Sequence, residues 1–171
     1  MKLQTGILLT ITVLSVLPLF SALRADSTGK SLEITVTIGH GDRDNPMMVL
    51  WLENDAGEFI KTLHIFSSRK IHYDKLKGWA PKSKKTETPA EVDAVSGATV
   101  AWNQSRTVSI PAQNGGLDLL NGNYALRLEA RTHFGENYRN LKIPLPEGYA
   151  GSVHENEGVI KTVNIKIKNV E

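Results

Sequence analysis

Asn121-Gly122-Asn123-Tyr124-Ala125-Leu126-Arg127-Leu128-Glu129 is the stretch that decides the fold. Asn-Gly-Asn is turn chemistry, because Gly takes positive φ without steric cost and Asn tolerates it. Beyond it Leu126 and Leu128 alternate with Arg127 and Glu129, the period of a strand with one face toward a core. A Tyr entering a late strand directly after a turn is common in β-sandwiches, where its hydroxyl pins the preceding loop. Tyr124 therefore reads as structural rather than catalytic.

The same two-residue period recurs outward from this point. Leu32, Ile34, Val36 and Ile38 alternate with Glu33, Thr35 and Thr37. Met47 to Glu53 is a nearly continuous apolar run, and Asn54-Asp55-Ala56-Gly57 joins it to Glu58 to Phe66 as a hairpin. Further strands are expected at Thr99 to Trp102, Arg106 to Ile110, Tyr124 to Thr132, Arg139 to Leu145 and Val159 to Ile167, with Phe134-Gly135-Glu136-Asn137 closing a second hairpin. Short strands without a long helical period define an all-β protein: an immunoglobulin-like antiparallel β-sandwich of about eight strands with one long inserted loop. Ile34, Val36, Leu50, Leu52, Leu126 and Leu128 are expected on its inward face. In the last strand Lys166 and Lys168 alternate with Ile165 and Ile167 and guard an edge.

The inserted loop, Ser67 to Ser96, is about thirty residues long and too polar for core. Connections of this length are usually functional or disordered. Ile71 to Trp79 is expected to make a helical turn that packs Leu76 and Trp79 on the sandwich. Lys82 to Pro89 reads as a solvated loop, whose Lys82, Lys84 and Lys85 form a solvated charged face.

Residues 1–25 read as a secretory signal: Lys2, an apolar run from Ile7 to Phe20, then small residues ending at Ala25. The run is interrupted by Pro18 and is shorter than the ~20 residues of a spanning helix, which favours removal over anchoring. No later segment is apolar enough to span a membrane. Residues 26–171 then form a single sandwich domain of ordinary size, exported to the periplasm. Loss of Lys2 and Arg24 leaves 18 basic against 18 acidic residues, so the apparent excess of positive charge disappears. With it goes any overall electrostatic case for nucleic acid or anionic membrane. The absence of Cys excludes disulfides, thiolate metal sites and a cysteine nucleophile.

Asp93-Ala94-Val95-Ser96-Gly97-Ala98-Thr99 carries the chemistry. Asp-x-x-Ser-Gly-Ala-Thr resembles the tag on which bacterial flavin transferases place FMN through a threonine phosphoester, as in subunits of the Na+-translocating NADH:quinone reductase and Rnf-type complexes. The resemblance implies Thr99 as the attachment residue, with Asp93, Ser96 and Gly97 completing the tag. Trp79, Trp102 or Tyr138 would then stack on the flavin. Those sites usually continue with a second hydroxyl residue, whereas this chain runs Val100-Ala101-Trp102, and the surrounding chain is unlike the usual FMN-binding domain. Ser-Gly-Ala is also ordinary turn material.

Several segments together (Val49 to Glu53, Gly57 to Leu63, Leu76-Lys77-Gly78-Trp79, Asp93 to Thr99 and Gly122 to Arg131) resemble a bacterial family of uncharacterised predicted periplasmic proteins. Its members are found near flavin transferases and PepSY-type membrane proteins. The resemblance implies a periplasmic sandwich associated with an extracytoplasmic flavin- or haem-linked redox or iron-reduction system. Two function classes follow: a non-catalytic binding or accessory module whose partner is a PepSY-type membrane protein or a flavin transferase, and a covalent FMN carrier esterified at Thr99.

Other chemistry finds less support. His40, His64, His72, His133 and His154 show no close metal-ligand spacing, and Asp42 and Asp44 beside His40 do not make a calcium loop. No Gly-x-Ser-x-Gly elbow or phosphate-binding Gly-rich loop is present. Glu91 and Asp93 could pair as carboxylates, but an acidic residue opening a turn explains Asp93 more simply. No catalytic residue is assigned.

Overall fold

The computed structural model describes residues 29–41, 44–132 and 141–170. The proposed signal, His133, Tyr138 and the Phe134 to Asn137 turn lie outside them. Along the chain run β1 (Lys30–Ile38), β2 (Met47–Asn54), β3 (Phe59–Phe66), a 3-10 helix (Lys70–Lys75), α1 (Ala80–Thr86), α2 (Pro89–Ala94), β4 (Ser96–Gly97) and β5 (Ser105–Pro111). There follow β6 (Gln113–Asn114), β7 (Leu117–Asp118), β8 (Tyr124–Arg131), β9 (Leu141–Leu145), β10 (Gly151–Glu155) and β11 (Ile160–Asn169).

Two sheets face each other, one of four strands ordered β10-β11-β1-β5 and one of five ordered β4-β3-β2-β8-β9. All their pairings are antiparallel except β3–β4. The all-β sandwich read from the period-two pattern is the fold. Leu32, Ile34 and Val36 from β1 meet Leu50, Leu52, Leu126 and Leu128 from the opposite sheet, and all are fully buried. The six inward residues expected from alternation are all in this core.

Three expectations are corrected. Thr99 to Trp102 is not a strand; the chain pairs only at β4, two residues earlier, and then leaves the sheet. The edge strand β10, half-exposed and rich in Gly and Ser, was not expected, because its only large apolar side chain, Val153, points outward at 61% exposure. Tyr124 is half-buried against the core, and no hydrogen bond of its hydroxyl to the preceding loop is found among the described residues.

The largest correction concerns the insert. Lys82 to Pro89 is not a solvated loop: α1 and α2 occupy this stretch, and with the 3-10 helix they lay a third layer over the outer face of the five-stranded sheet. Beneath that layer Val49, Trp51 and Ile65 pack on Tyr73, Leu76, Trp79 and Ala80 in a second core. β2 is therefore covered on both faces, which is the physical reason for its unbroken apolar run. Leu76 and Trp79 do dock as expected, at 0% and 2% exposure.

Polar contacts fasten this layer. Glu129 on β8 accepts hydrogen bonds from the Gly78 and Trp79 backbone N–H groups at 3.1 and 3.0 Å. The Arg131 guanidinium donates to the Lys75 carbonyl at 2.6 Å. Glu53 on β2 accepts from Trp51 Nε1 at 3.1 Å and from Lys82 Nζ at 2.6 Å, so Lys82 is not part of a solvated face. Arg127 lies over the Trp51 ring at 5.6 Å. Glu87 receives the Thr62 backbone N–H and hydroxyl, both at 2.6 Å, and the Thr62 hydroxyl receives Trp79 Nε1 at 2.8 Å.

Candidate functional site

The Asp93 to Thr99 segment descends from the end of α2 along the edge of the five-stranded sheet. Thr88 starts α2 with a capping box: its hydroxyl accepts from the Glu91 N–H at 3.3 Å, and the Glu91 carboxylate accepts from the Thr88 N–H at 2.7 Å. The Thr88 N–H and the Thr88 hydroxyl, which donates to the same carboxylate at 2.8 Å, hold the Glu91 carboxyl below the usual range. Asp93 instead pairs with Lys70 Nζ at 2.6 Å, so the two carboxylates do not work together.

Ser96 and Gly97 then form β4 against Ile65 and Phe66. The Ser96 hydroxyl donates to the Val92 carbonyl at 2.9 Å and meets the Tyr73 hydroxyl at 3.1 Å. Gly97 is required by packing rather than by a positive φ. A Cβ there would stand 2.8 Å from His64 Nε2. That imidazole is held edge-on against Phe66 at 4.5 Å. Burial, reinforced by Arg106, keeps the His64 pKa below its ordinary value. Gly97→Ala should therefore cost about 1–3 kcal/mol by overpacking. Urea melts of Gly97→Ala, His64→Ala and the double variant will show a favourable coupling if the ring is what the added methyl meets.

After β4 the chain is free of the sheet. Ala98 is exposed and Thr99 is half-buried. Thr99 lines a cleft of about 160 Å³ together with Asn45, Ser67, Ser68, Arg69 and His72. Met47 and the buried Ser67, whose hydroxyl accepts from the Arg69 N–H at 3.1 Å, complete the lining. The groups that could meet an anion are therefore the Arg69 guanidinium, the His72 ring, the Asn45 amide and the Ser68 and Thr99 hydroxyls. Arg69 also reaches Asp44 at 3.4 Å, a pair in which both side chains are about half exposed.

The structure distributes the tag residues over two cavities. Asp93 and Trp79 border a second one, about 350 Å³, between the 3-10 helix, α1 and α2. Thr99 is not beside Trp79. The Trp79 ring is buried, its N–H is used by Thr62, and it stands edge-on to Tyr73 at 5.8 Å. It therefore offers no open face for stacking. Trp102 is half-buried on the main core, over Gly41. Arg69, Ser67 and Tyr73 were not singled out in the sequence. Nothing in their local pattern marks them, since they reach the site through the docking of the insert. Among the described residues no three His, Asp or Glu side chains converge as a metal site. His40 meets Asn103 and His154 meets Ser152 instead.

A β-sandwich whose outer sheet face carries a helical insert, with a hydroxyl-bearing cleft at the insert's edge, defines a small β-rich module. Residues 30–162 match the family described as predicted periplasmic protein (DUF2271), and the chain belongs to that family. It is a periplasmic protein of an uncharacterised family, and no described helix is long and apolar enough to cross a membrane. A comparison with curated proteins finds no match.

Proposed function

We propose that this protein is a non-catalytic periplasmic module of an extracytoplasmic redox system and that Thr99 carries its flavin as an FMN phosphoester. The observation that supports this reading is the placement of Thr99: its tag leaves the sheet edge at Gly97, and its side chain lines a solvent-open cleft with Arg69 and His72. A phosphoester there would have its charge met by the Arg69 guanidinium, with the Ser68 hydroxyl as a further partner. The cleft is of phosphate size, so the flavin ring would lie outside it. Bound FMN would supply one- and two-electron redox chemistry, while this chain holds and orients it. The ester needs a separate flavin transferase and a flavin dinucleotide as donor: the Thr99 oxygen bonds to the FMN phosphorus as the pyrophosphate P–O bond breaks, AMP leaves and the hydroxyl proton is released, with the transferase closing over exposed Ala98. A PepSY-type membrane protein is the electron-transfer partner in this reading.

Thr99→Val keeps the shape and removes the nucleophilic oxygen. Co-expression with an active periplasmic flavin transferase should give wild-type protein with the mass of one added FMN, and Thr99→Val without it. If the wild type stays unmodified, the carrier reading fails and an accessory module without its own cofactor remains. If both proteins are modified, the ester is on another residue.

A further inference from the structure

The helical layer concentrates a charge that the chain as a whole lacks. Between Arg69 and Thr86 stand seven of the 18 basic residues of 26–171 and, in Asp74, one of the 18 acidic ones. Three of the seven are matched by carboxylates: Arg69 by Asp44, Lys70 by Asp93 and Lys82 by Glu53. Lys75, Lys77, Lys84 and Lys85 have no ion-pair partner among the described residues.

Packing aims this charge away from the sandwich. Tyr73, Leu76, Trp79, Ala80 and Ser83 are buried beneath the layer, so the exposed positions between them face outward. α1 packs beside the 3-10 helix, and Lys70 and Lys84 border the same cavity, which puts Lys84 and Lys85 on one outer surface with Ile71. Ile71 is 83% exposed, more than any other large apolar side chain among the described residues. It stands as one bare aliphatic group in a field of amines.

That composition fits a lipid surface better than a protein one. Protein interfaces enrich Arg and aromatic side chains and deplete Lys. Here Lys surrounds a single Ile, and no aromatic side chain between Arg69 and Thr86 is exposed. Long lysine stems let their ammonium groups reach lipid phosphates while an aliphatic side chain enters the headgroup region.

We infer that the helical layer is a peripheral docking face for anionic phospholipid bilayers, with Ile71 as the inserted side chain and Lys77, Lys84 and Lys85 as the headgroup contacts. Both elements are needed, since stable membrane attachment takes two signals rather than one. The inference is independent of the proposed ester, and its test leaves Arg69 and His72 of the Thr99 cleft unaltered.

Protein purified from the periplasm is floated with vesicles of phosphatidylcholine alone or mixed with an equal part of phosphatidylglycerol. Binding to the anionic vesicles only is expected, falling as salt is raised because exposed charges are screened. Lys84→Gln combined with Lys85→Gln should weaken it about 25-fold, at about fivefold for each lysine. Ile71→Ser should weaken it about tenfold or more. All three positions are exposed, and circular dichroism melts establish that the variants are folded. Lys166→Gln combined with Lys168→Gln removes the same charge from the outer face of the four-stranded sheet and should leave binding unchanged.

Absence of binding to the anionic vesicles overturns the inference, as does equal binding to both vesicle types. Binding unmoved by the Lys84 and Lys85 replacements or by Ile71→Ser overturns it too, and so does an equal loss in the Lys166 and Lys168 variant. Capture on immobilised polyglutamate that needs Lys84 and Lys85, without vesicle binding, overturns it in favour of an acidic polypeptide.

Discussion

Trp51→Ala is expected to destabilise the protein by about 3–5 kcal/mol, the range for truncating a buried large aromatic. Trp51 is completely buried on the outer face of β2, within the second core. Its loss removes packing for the helical layer, the Nε1 donor to Glu53 at 3.1 Å and the surface on which Arg127 lies. The sandwich core on the opposite face of β2 is untouched, because Leu50 and Leu52 point the other way. The variant should thus lose the insert before the sandwich. Urea unfolding followed by native-state hydrogen exchange would show early opening of Lys70 to Ala94, with Leu126 and Ile34 protected. A uniform loss across both layers would mean that the insert is not a separable layer.

Glu129 governs the second large effect. Replacing it by Ala leaves the Gly78 and Trp79 N–H groups without their acceptor under the insert, at a cost of about 2–4 kcal/mol. Gln keeps one acceptor oxygen and should cost much less. Burial pushes the Glu129 pKa above the ordinary carboxylate value of 4.5, and the hydrogen bonds from Gly78 and Trp79 only partly oppose that. The folded state therefore holds its proton to higher pH than the unfolded state does. Stability from this group is fully present below the unfolded value and is lost as pH rises through the folded one.

Glu53 acts in the opposite window. Desolvation by burial raises its pKa, but the hydrogen bonds from Lys82 and Trp51 and the charge of Arg127 outweigh it, and the net shift is downward from 4.5. Its contribution is present above 4.5 and is lost on acidification through the lowered folded value. Melts across pH 3–8 should show the decline above about 4.5 vanish in Glu129→Gln, while the decline below it persists. Persistence of both declines in Glu129→Gln would assign the upper one to another group.

Much of the sandwich was legible because its signal is local. Alternation at Leu32 to Ile38 and at Leu126 to Leu128 specifies which face is buried, whatever the partner strand is. The helical insert was less legible. Thr88-Pro89-Ala90-Glu91 is a capping box with proline in the first turn, a start signal readable in the chain. It was masked by the Lys-rich composition around it. The helices are too short to show a period, and α1 is fixed by Lys82 donating to Glu53 on β2 and by Glu87 at its C-terminal end accepting from Thr62 on β3.

What belongs to the chain alone is the all-β character, the identity of the inward residues and the Ser-Gly-Ala-Thr element, since each depends on residues adjacent in sequence. What needed the tertiary structure is the third layer. Arg127, Glu129 and Arg131 have the spacing of a wet strand face, yet Glu129 is 5% exposed beneath the insert. Long-range hydrogen bonds from Gly78 and Trp79 reverse the expectation, because a charge can be buried when its partners arrive from elsewhere in the chain. The same docking separates Trp79 from Thr99 and brings Arg69 and His72 beside it, so the two sides of the candidate site exist only once the insert has folded onto the sheet.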